Sequence, residues 1–149
     1  MSTTGLDTFD KTVQETNLWV KSLMQMLDTR DRHLAYMSLR GVLHALRDRI
    51  GPENAVHLGC QLPMLVRGMY FEAWHMAGTP TKERHKDQFL ERVRAGFPKK
   101  AHAKLDVEKL TRAVFGVMWE KVEPGEVAKI IKVLPKQIRE LWPAVAQEQ

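Results

Sequence analysis

The strongest constraint on the fold is an internal repeat in which the second half of the chain matches the first. Residues 40–71 align without a gap on residues 112–143, an offset of 72, and six of the aligned positions are identical. Two unrelated segments of this length would share roughly two identities, given average residue frequencies. The chain is therefore expected to contain two copies of one structural unit.

Prolines at matching places predict where helices begin in both copies. Pro52 and its counterpart Pro124 suit the first turn of a helix, where the missing N–H has no partner to lose. Pro63 would break a longer helix, but its recurrence as Pro135 indicates that a new helix begins there. Each copy is therefore predicted to hold four helices, at about 8–27, 34–50, 52–61 and 63–74 and then at 86–95, 106–122, 124–133 and 135–142.

Apolar residues recur at intervals of three and four along most of the chain, which is the spacing of helices. In the first helix the predicted inward stripe is Phe9, Val13, Val20, Met24 and Leu27, with Trp19, Leu23 and Met26 beside it. The predicted fold is all-α: a compact helical bundle of two tandem four-helix repeats related by an approximate two-fold axis. We expect a single domain over residues 1–149, with repeat one at about 8–74, a linker at 75–85, repeat two at about 86–142 and frayed last residues.

Composition narrows the class of protein. The chain has 149 residues and one cysteine, Cys60, so no disulfide can form within it. No apolar run approaches the ~18–20 residues that a membrane span needs. The N-terminal sequence carries early acidic residues and no apolar signal core. These features predict a soluble cytoplasmic protein that does not enter a membrane.

The positive net charge of +5 lies entirely in the second half of the chain. Residues 1–74 hold 8 basic and 8 acidic residues, whereas residues 75–149 hold 15 and 10. Most of the excess falls in residues 81–104, a segment that could attract an acidic protein or nucleic acid. Acidic residues interrupt the run, so a solvated surface of mixed charge is the competing interpretation. Its candidate interaction residues are Arg84, Lys86, Arg92, Arg94, Lys99 and Lys100.

Aromatic residues concentrate just before the linker. Tyr70, Phe71 and Trp74 follow Arg67, and these residue types are enriched at interface hot spots. They are also common core residues. Because large apolar residues adjacent in sequence cannot all point inward from one helix, we take these four as candidates for an interaction surface.

Signals for catalysis or metal binding are weak. Glu72 and His75 have the Glu-x-x-His spacing of di-iron helical bundles, but such sites need two of these motifs and the chain has one. His44 and Asp48 lie four residues apart without a nucleophile beside them, which favours a surface or interhelical contact. Gly59 within a predicted helix is expected to permit close helix packing, as is Gly68. We predict no catalytic residue and no cofactor-binding residue, and we keep Glu72 and His75 as weak metal candidates.

Several local sequences resemble a known family. The runs PENA (52–55), QLP (61–63) and RGMYFEAW (67–74) are the most specific, and the resemblance extends over about residues 5–143. The chain is thereby similar to a bacterial family of uncharacterised proteins, number 2267 in the domain-of-unknown-function series. The resemblance implies a small, soluble, all-helical protein and supplies no catalytic residues. The resemblance also suggests, as a hypothesis, a role in stress physiology or as a partner of a larger enzyme.

These observations favour a non-enzymatic protein-binding or accessory module whose partner is another protein, with homo-oligomers also open. One alternative is a helical protein that binds a metal or a small cofactor. A third hypothesis is a non-specific nucleic-acid binder.

Overall fold

Helices supply all the regular secondary structure of residues 2–148, the part of the chain that the structure, a computed structural model, describes. The all-α fold class predicted from the apolar spacing is confirmed. None of the helices in these residues is long and apolar enough to cross a bilayer. A 3₁₀ helix covers Lys99–Lys104, and the α-helices are α1 (Asp7–Leu27), α2 (Arg32–Arg49), α3 (Pro52–Cys60), α4 (Met64–Phe71), α5 (Lys86–Ala95), α6 (Val107–Lys121), α7 (Pro124–Val133), α8 (Lys136–Arg139) and α9 (Ala144–Gln147).

Local residue chemistry explains the ends of the first helices. Asp28 ends α1 in the left-handed conformation, with φ of 52°, which Asp tolerates better than most residues. The side chain of Asp31 then accepts a hydrogen bond from the backbone N–H of Leu34 at 3.0 Å and caps α2. Gly51, with φ of 89°, separates α2 from α3, and Pro52 takes the first position of α3. The predicted start of a helix at Pro52 is confirmed.

α4 is shorter than its sequence predicts. It ends at Phe71 and does not reach Trp74, so the predicted boundary is wrong. Glu72 leaves the helix with ψ of 132° and Ala73 has φ of 58°, a left-handed conformation. Side chains of α2 bind the backbone carbonyls at this end of α4, which fixes where the helix stops.

The centre of the bundle is formed by α2 and α6. α2 packs against α1, α3, α4, α5 and α6, while α6 packs against α1, α2, α5 and α7. Full burial of a large apolar side chain contributes about 1.5–3 kcal/mol, so these two helices hold the others in place. Their almost completely buried side chains include Leu39, Leu43, Leu46, Phe115 and Met118.

α1 buries only part of its predicted stripe. Leu27 of the predicted stripe lies in the core, and so do Trp19 and Leu23, which were predicted to lie beside the stripe. Phe9 is 46% exposed, so its assignment to the inward stripe is wrong. The reason is that the N-terminal half of α1 lies beside the short α4, which covers it incompletely.

The last residues are ordered into a helix, contrary to the prediction that they fray. α9 packs against α7, and its Ala146 is 1% exposed. The Gln147 side chain donates a hydrogen bond to the backbone oxygen of Trp142 at 2.8 Å. Burial of a small side chain against α7 is therefore what holds this end; Gln149 lies outside the described residues.

The linker runs along the end of α2. The backbone N–H of Thr81 donates to the backbone oxygen of Asp48 at 2.8 Å. The Arg49 side chain donates to the backbone oxygen of Glu83, also at 2.8 Å. The Glu83 side chain is buried and forms an ion pair with Arg92 of α5. These bonds tie the linker to helices on both sides of it.

Candidate functional site

A groove of about 660 Å³ opens on the surface between α1, α2 and α4. The N-terminal half of α1 forms one wall, and the exposed side of α4 forms the other. The groove exists because α4 is only 8 residues long and covers α1 incompletely. Its lining is largely apolar and includes Phe9, Val13 and Val20 of α1, Tyr36 and Leu39 of α2, and Leu65 of α4.

The apolar residues of this groove are exposed to a degree that folding does not require. Leu65 is 53% exposed and Tyr36 is 41% exposed, in addition to Phe9. Single exposed apolar residues are normal on a protein surface, whereas contiguous ones mark binding sites. The groove is thus the part of the described surface best suited to contact another apolar surface.

Two helical glycines differ in a way that points to the same groove. A Cβ on Gly59 of α3 would lie 2.6 Å from the Phe71 ring, so Gly59 permits close packing as predicted. A Cβ on Gly68 of α4 would meet no atom within 4 Å, so the same prediction is wrong there. Gly68 lines the groove and leaves the backbone of α4 accessible from it. Since glycine within a helix costs roughly 0.5–1 kcal/mol relative to alanine, folding does not account for Gly68.

α4 is held in position by a buried arginine of α2. The Arg47 guanidinium is 4% exposed and donates hydrogen bonds to the backbone oxygens of Tyr70 at 2.6 Å and Glu72 at 3.0 Å. It also forms an ion pair with the neighbouring Asp48 at 2.8 Å. Because a cation is favourable at the negative end of a helix dipole, Arg47 stabilises the C-terminus of α4 and hence one wall of the groove.

Two further side chains of α2 bind the same end of α4. The Nε2–H of His44 donates to the Met69 backbone oxygen at 2.8 Å. Burial lowers the pKa of His44, and the nearby Arg47 and Arg40 lower it further. Arg40 forms an ion pair with Glu72 at 2.9 Å. The interhelical contact predicted for His44 is therefore present, and the ring is held in its neutral form.

The aromatic cluster before the linker is mostly internal. Tyr70 is completely buried, and its hydroxyl donates to the Ala55 backbone oxygen at 2.7 Å. Burial raises the pKa of Tyr70. The rings of Phe71 and Trp74 lie 5.4 Å apart and pack, half-buried, against the core. Tyr70 is therefore a core residue, and its prediction as part of an interaction surface is corrected by this burial.

Arg67 is exposed, but its guanidinium has a local role. It donates hydrogen bonds to the backbone oxygens of Gly59 and Leu62, each at 2.9 Å. These oxygens lie at the C-terminal end of α3, where a cation complements the helix dipole. Arg67 thus joins α3 to α4 while the edge of its side chain remains open to solvent.

The predicted basic candidates divide into two groups. Three of them form ion pairs with acidic residues of the second half: Lys86 with Glu108 (3.2 Å), Arg92 with Glu83, and Arg94 with Glu91 (3.4 Å). Arg84, Lys99 and Lys100 are exposed, and the two lysines lie in the 3₁₀ helix. The acidic residues within and next to the segment compensate much of its charge, which weakens the field that it presents to an anionic partner.

Glu72 and His75 do not share a helical face. α4 ends before Glu72, and the left-handed Ala73 separates the two side chains. The Glu72 carboxylate is engaged by Arg40, and His75 is exposed. Among residues 2–148 no group of three or more His, Cys, Asp or Glu side chains is arranged to hold a metal ion.

The geometry defines an all-helical protein with an apolar surface groove and with no assembled set of metal ligands among its described residues. A family profile described as "Uncharacterized conserved protein (DUF2267)" matches residues 16–141. The chain belongs to this family, as the resemblance of its motifs predicted. None of the curated proteins compared with the chain matches it.

Sequence reasoning missed the groove because it assigned Phe9 and Val13 to the core. A signal was present in the sequence. The apolar groove residues Tyr36 and Leu65 lie 72 residues before the polar Glu108 and Gln137, which is the offset at which the two halves align. A position that is apolar in one copy of a repeat and polar in the other is not required to be apolar by the shared fold.

Proposed function

We propose that the protein is a non-enzymatic accessory module that binds another protein through the groove between α1, α2 and α4. The observation that carries the proposal is the difference between this surface and its counterpart on α5, α6 and α8. Three exposed positions differ: Tyr36, Leu65 and Gly68 of the first surface align with Glu108, Gln137 and Glu140 of the second. The proposal includes that the two halves of the chain are copies of one structural unit.

Hydrogen bonds at matching positions of the two copies support the duplication. Arg67 donates to the backbone oxygen of Leu62, and Arg139 donates to that of Leu134 at 2.6 Å. Both arginines lie four residues after the proline of a Leu-Pro pair and bind the backbone oxygen of its leucine. The backbone N–H groups of Ile50 and Val122 end their helices in the same way, on residues four positions earlier.

The packing of the helices supports an approximate two-fold relation between the repeats. α1 packs on α6, and its equivalent α5 packs on α2. α2 contacts its own equivalent α6, and α3 contacts its own equivalent α7. Reciprocal contacts of this kind, in which some helices also contact their own equivalents, are the pattern of a two-fold interface. The first helix of each repeat packs against the second helix of the other repeat, which favours one domain over separate units.

The counterpart surface in the second repeat is closed by its own polar contacts. Glu108 takes the place of Tyr36 and forms ion pairs with Lys86 and Arg112. Gln137 takes the place of Leu65, and its side-chain oxygen accepts a hydrogen bond from the Lys86 backbone N–H at 3.0 Å. The unit therefore folds with polar residues at these positions. Selection for folding alone does not explain their apolar character in the first repeat, whereas binding a partner does.

The test compares a groove variant with a surface control. The variant Leu65→Gln/Gly68→Glu takes the residues of the second repeat, Gln137 and Glu140. The control Val133→Gln removes an exposed apolar side chain of α7 that lies outside the groove. Each protein is produced in the native cell with a small affinity tag, and co-purifying proteins are quantified by mass spectrometry.

We expect at least one protein to be retained by the wild type and by the control and to be lost with the groove variant. Circular dichroism and thermal unfolding verify that all three fold alike. Partners recovered equally with all three proteins, or no reproducible partner under growth and stress conditions, would contradict the proposal. The stress role suggested by the family resemblance stays a prediction that the same comparison under stress examines.

The two competing hypotheses have tests of their own. Metal analysis and an absorption spectrum of untagged protein would reveal a bound metal or chromophoric cofactor. A gel shift across a salt series would reveal nucleic-acid binding, whose phosphate contacts weaken steeply with salt. A positive result in either assay that persists in the groove variant would favour that hypothesis over protein binding at the groove.

A further inference from the structure

We infer that the groove receives one amphipathic α-helix of about three turns, which lies parallel to α1. The inference rests on the proposed function and adds the conformation, length and direction of the bound segment. Four observations carry it: the length of the groove wall, the state of the backbone around it, the open face at Gly68, and the charges at its two ends.

The length of the groove sets the length of the occupant. The wall on α1 runs from Phe9 to Val20, and both residues line the groove. At 1.5 Å per residue this distance is about 16 Å, or about three helical turns. A helix of this length can place apolar side chains at spacings of three and four against the wall.

The backbone around the groove favours a helical occupant over an extended one. An extended peptide binds by adding to the free edge of a sheet, and residues 2–148 contain no strand. The walls are helices, and the backbone groups at the two ends of α4 are bound by side chains of α1 and α2. A helix satisfies its own backbone hydrogen bonds, so it can enter an apolar groove without leaving polar groups unpaired.

Gly68 provides the place of closest approach. Nothing lies within 4 Å of the position of its missing Cβ, so a partner backbone or a small side chain fits there. Thr16 lies on the opposite wall, and its hydroxyl is buried without a hydrogen-bond partner.

Two charged residues that lie just beyond the lining of the groove give the direction. Asp10 lies at the Phe9 end and accepts hydrogen bonds from Ser2 and Thr4, which lower its pKa and keep it ionised. Arg32 lies one turn before Tyr36 at the other end and binds only the neutral Asn17 at 2.9 Å. A helix has a positive N-terminal end and a negative C-terminal end. Its N-terminus therefore suits Asp10 and its C-terminus suits Arg32, which makes it parallel to α1.

Other occupants fit less well. The remaining charges on the groove rim, Arg40 and Glu72, form a pair, so the rim lacks the positive excess that a phosphate backbone or an anionic membrane requires. Outside the groove, α3, α7 and α9 each expose one large apolar side chain (Val56, Val133 and Val145), and α1 exposes Leu18 and Met26, eight residues apart. None of these described helices therefore presents exposed apolar residues at successive spacings of three and four to a second copy. Two concave grooves facing each other would not fill one another.

The experiment uses a yeast-displayed library of helices, each about three to four turns long, that share one leucine stripe and vary at the other positions. Cells are selected for binding to the fluorescent full-length wild type, and the recovered helices are titrated against variants. We expect basic residues near the N-terminus and acidic residues near the C-terminus of the recovered helices. We also expect binding to Leu65→Gln/Gly68→Glu to be at least about tenfold weaker, and binding to Val133→Gln to be unchanged.

A charge exchange tests the direction independently. Arg32→Glu is expected to weaken a recovered helix about two- to fivefold, as is usual for an exposed ion pair. Replacing the acidic residue at the C-terminal end of the helix with lysine should restore the binding. Rescue by changing the N-terminal end instead would show the opposite direction and overturn that part of the inference.

Three results would overturn the helix assignment. The first is recovered helices that bind the groove variant as well as they bind the wild type. The second is an empty selection. The third is concentration-dependent dimerisation in analytical ultracentrifugation that the groove variant abolishes, which would make a second copy the occupant. The proposed function could survive the first two results through a native partner that binds in another way, so its own test remains distinct.

Discussion

The surface on α1, α2 and α4 and the surface on α5, α6 and α8 contain residues that align at an offset of 72 in the sequence, but the two surfaces differ in chemistry. The first is an open apolar groove, and the second is closed by ion pairs and a backbone hydrogen bond. The aligned residues that differ between them are Tyr36 and Glu108, Leu65 and Gln137, and Gly68 and Glu140. Under the proposed duplication, residues that are alike in both surfaces serve the fold, and the apolar residues found only in the first surface serve another purpose. Four predictions test it, from the largest expected effect to the smallest.

Truncation of a buried aromatic residue should cost similar stability in the two halves. Tyr70 and Trp142 lie 72 residues apart, at aligned positions of the two halves, and both are almost completely buried. We expect Tyr70→Ala and Trp142→Ala each to lower the free energy of unfolding by about 3–5 kcal/mol, because each leaves a large cavity. Urea denaturation measures both. A loss below about 1 kcal/mol for only one of them would break the structural equivalence on which the comparison depends.

The stabilisation of α4 by a buried arginine should have no equivalent in the second half. Arg47 binds two carbonyl groups at the end of α4, and the aligned residue of the second copy is Trp119. We expect Arg47→Met to cost about 2–4 kcal/mol, since buried carbonyl groups lose their donor and Asp48 loses its partner. Urea denaturation gives the cost, and hydrogen exchange should show faster opening of α4. Unchanged exchange in α4 would show that Arg47 does not hold the groove wall.

The two helical glycines should respond in opposite directions to the same change. Gly59→Ala is expected to lower the free energy of unfolding by about 1–3 kcal/mol, because the new methyl group clashes with the Phe71 ring. Gly68→Ala is expected to raise it by roughly 0.5–1 kcal/mol, because the methyl group meets open space and favours the helix. Thermal unfolding measures both. A destabilising Gly68→Ala would mean that Gly68 is retained for folding.

Acidification should affect the α2–α4 contact through His44, for which the second half has Gly116. Burial lowers the folded-state pKa of His44 from its ordinary value of 6.5, so the unfolded chain takes up the proton first. Its contribution to stability is therefore present above about pH 6.5 and is lost as the pH falls through the folded-state value. We expect this to be the smallest of the four effects, because one half-buried ring is involved.

Unfolding free energies of the wild type and of His44→Gln, measured between pH 8 and pH 5, isolate the contribution of this ring. The wild type should lose more stability over that interval, since glutamine keeps a donor for Met69 and cannot be protonated. Equal losses in the two proteins would assign the pH dependence to other groups.

The helix starts and stops were largely predictable because they depend on a few neighbouring residues. Pro52, Asp31 and Gly51 each act within one turn of the backbone. The end of α4 was not predictable in this way. It depends on donors in α2 that lie far away in sequence and close in space. Likewise, neighbouring aromatic residues such as Tyr70 and Phe71 look alike in sequence, and only the packing of α3 decides which one is enclosed.

The sequence by itself determined the all-helical class and most of the helix starts, since these follow from backbone chemistry and the spacing of apolar residues. Only the tertiary structure decided that α4 stops early, that Phe9 and Leu65 remain uncovered, and that Gly68 faces open space. The physical reason is that exposure is a property of the neighbours of a residue. An apolar stripe predicts that something will cover it, and the structure shows where the chain itself leaves that contact unmade.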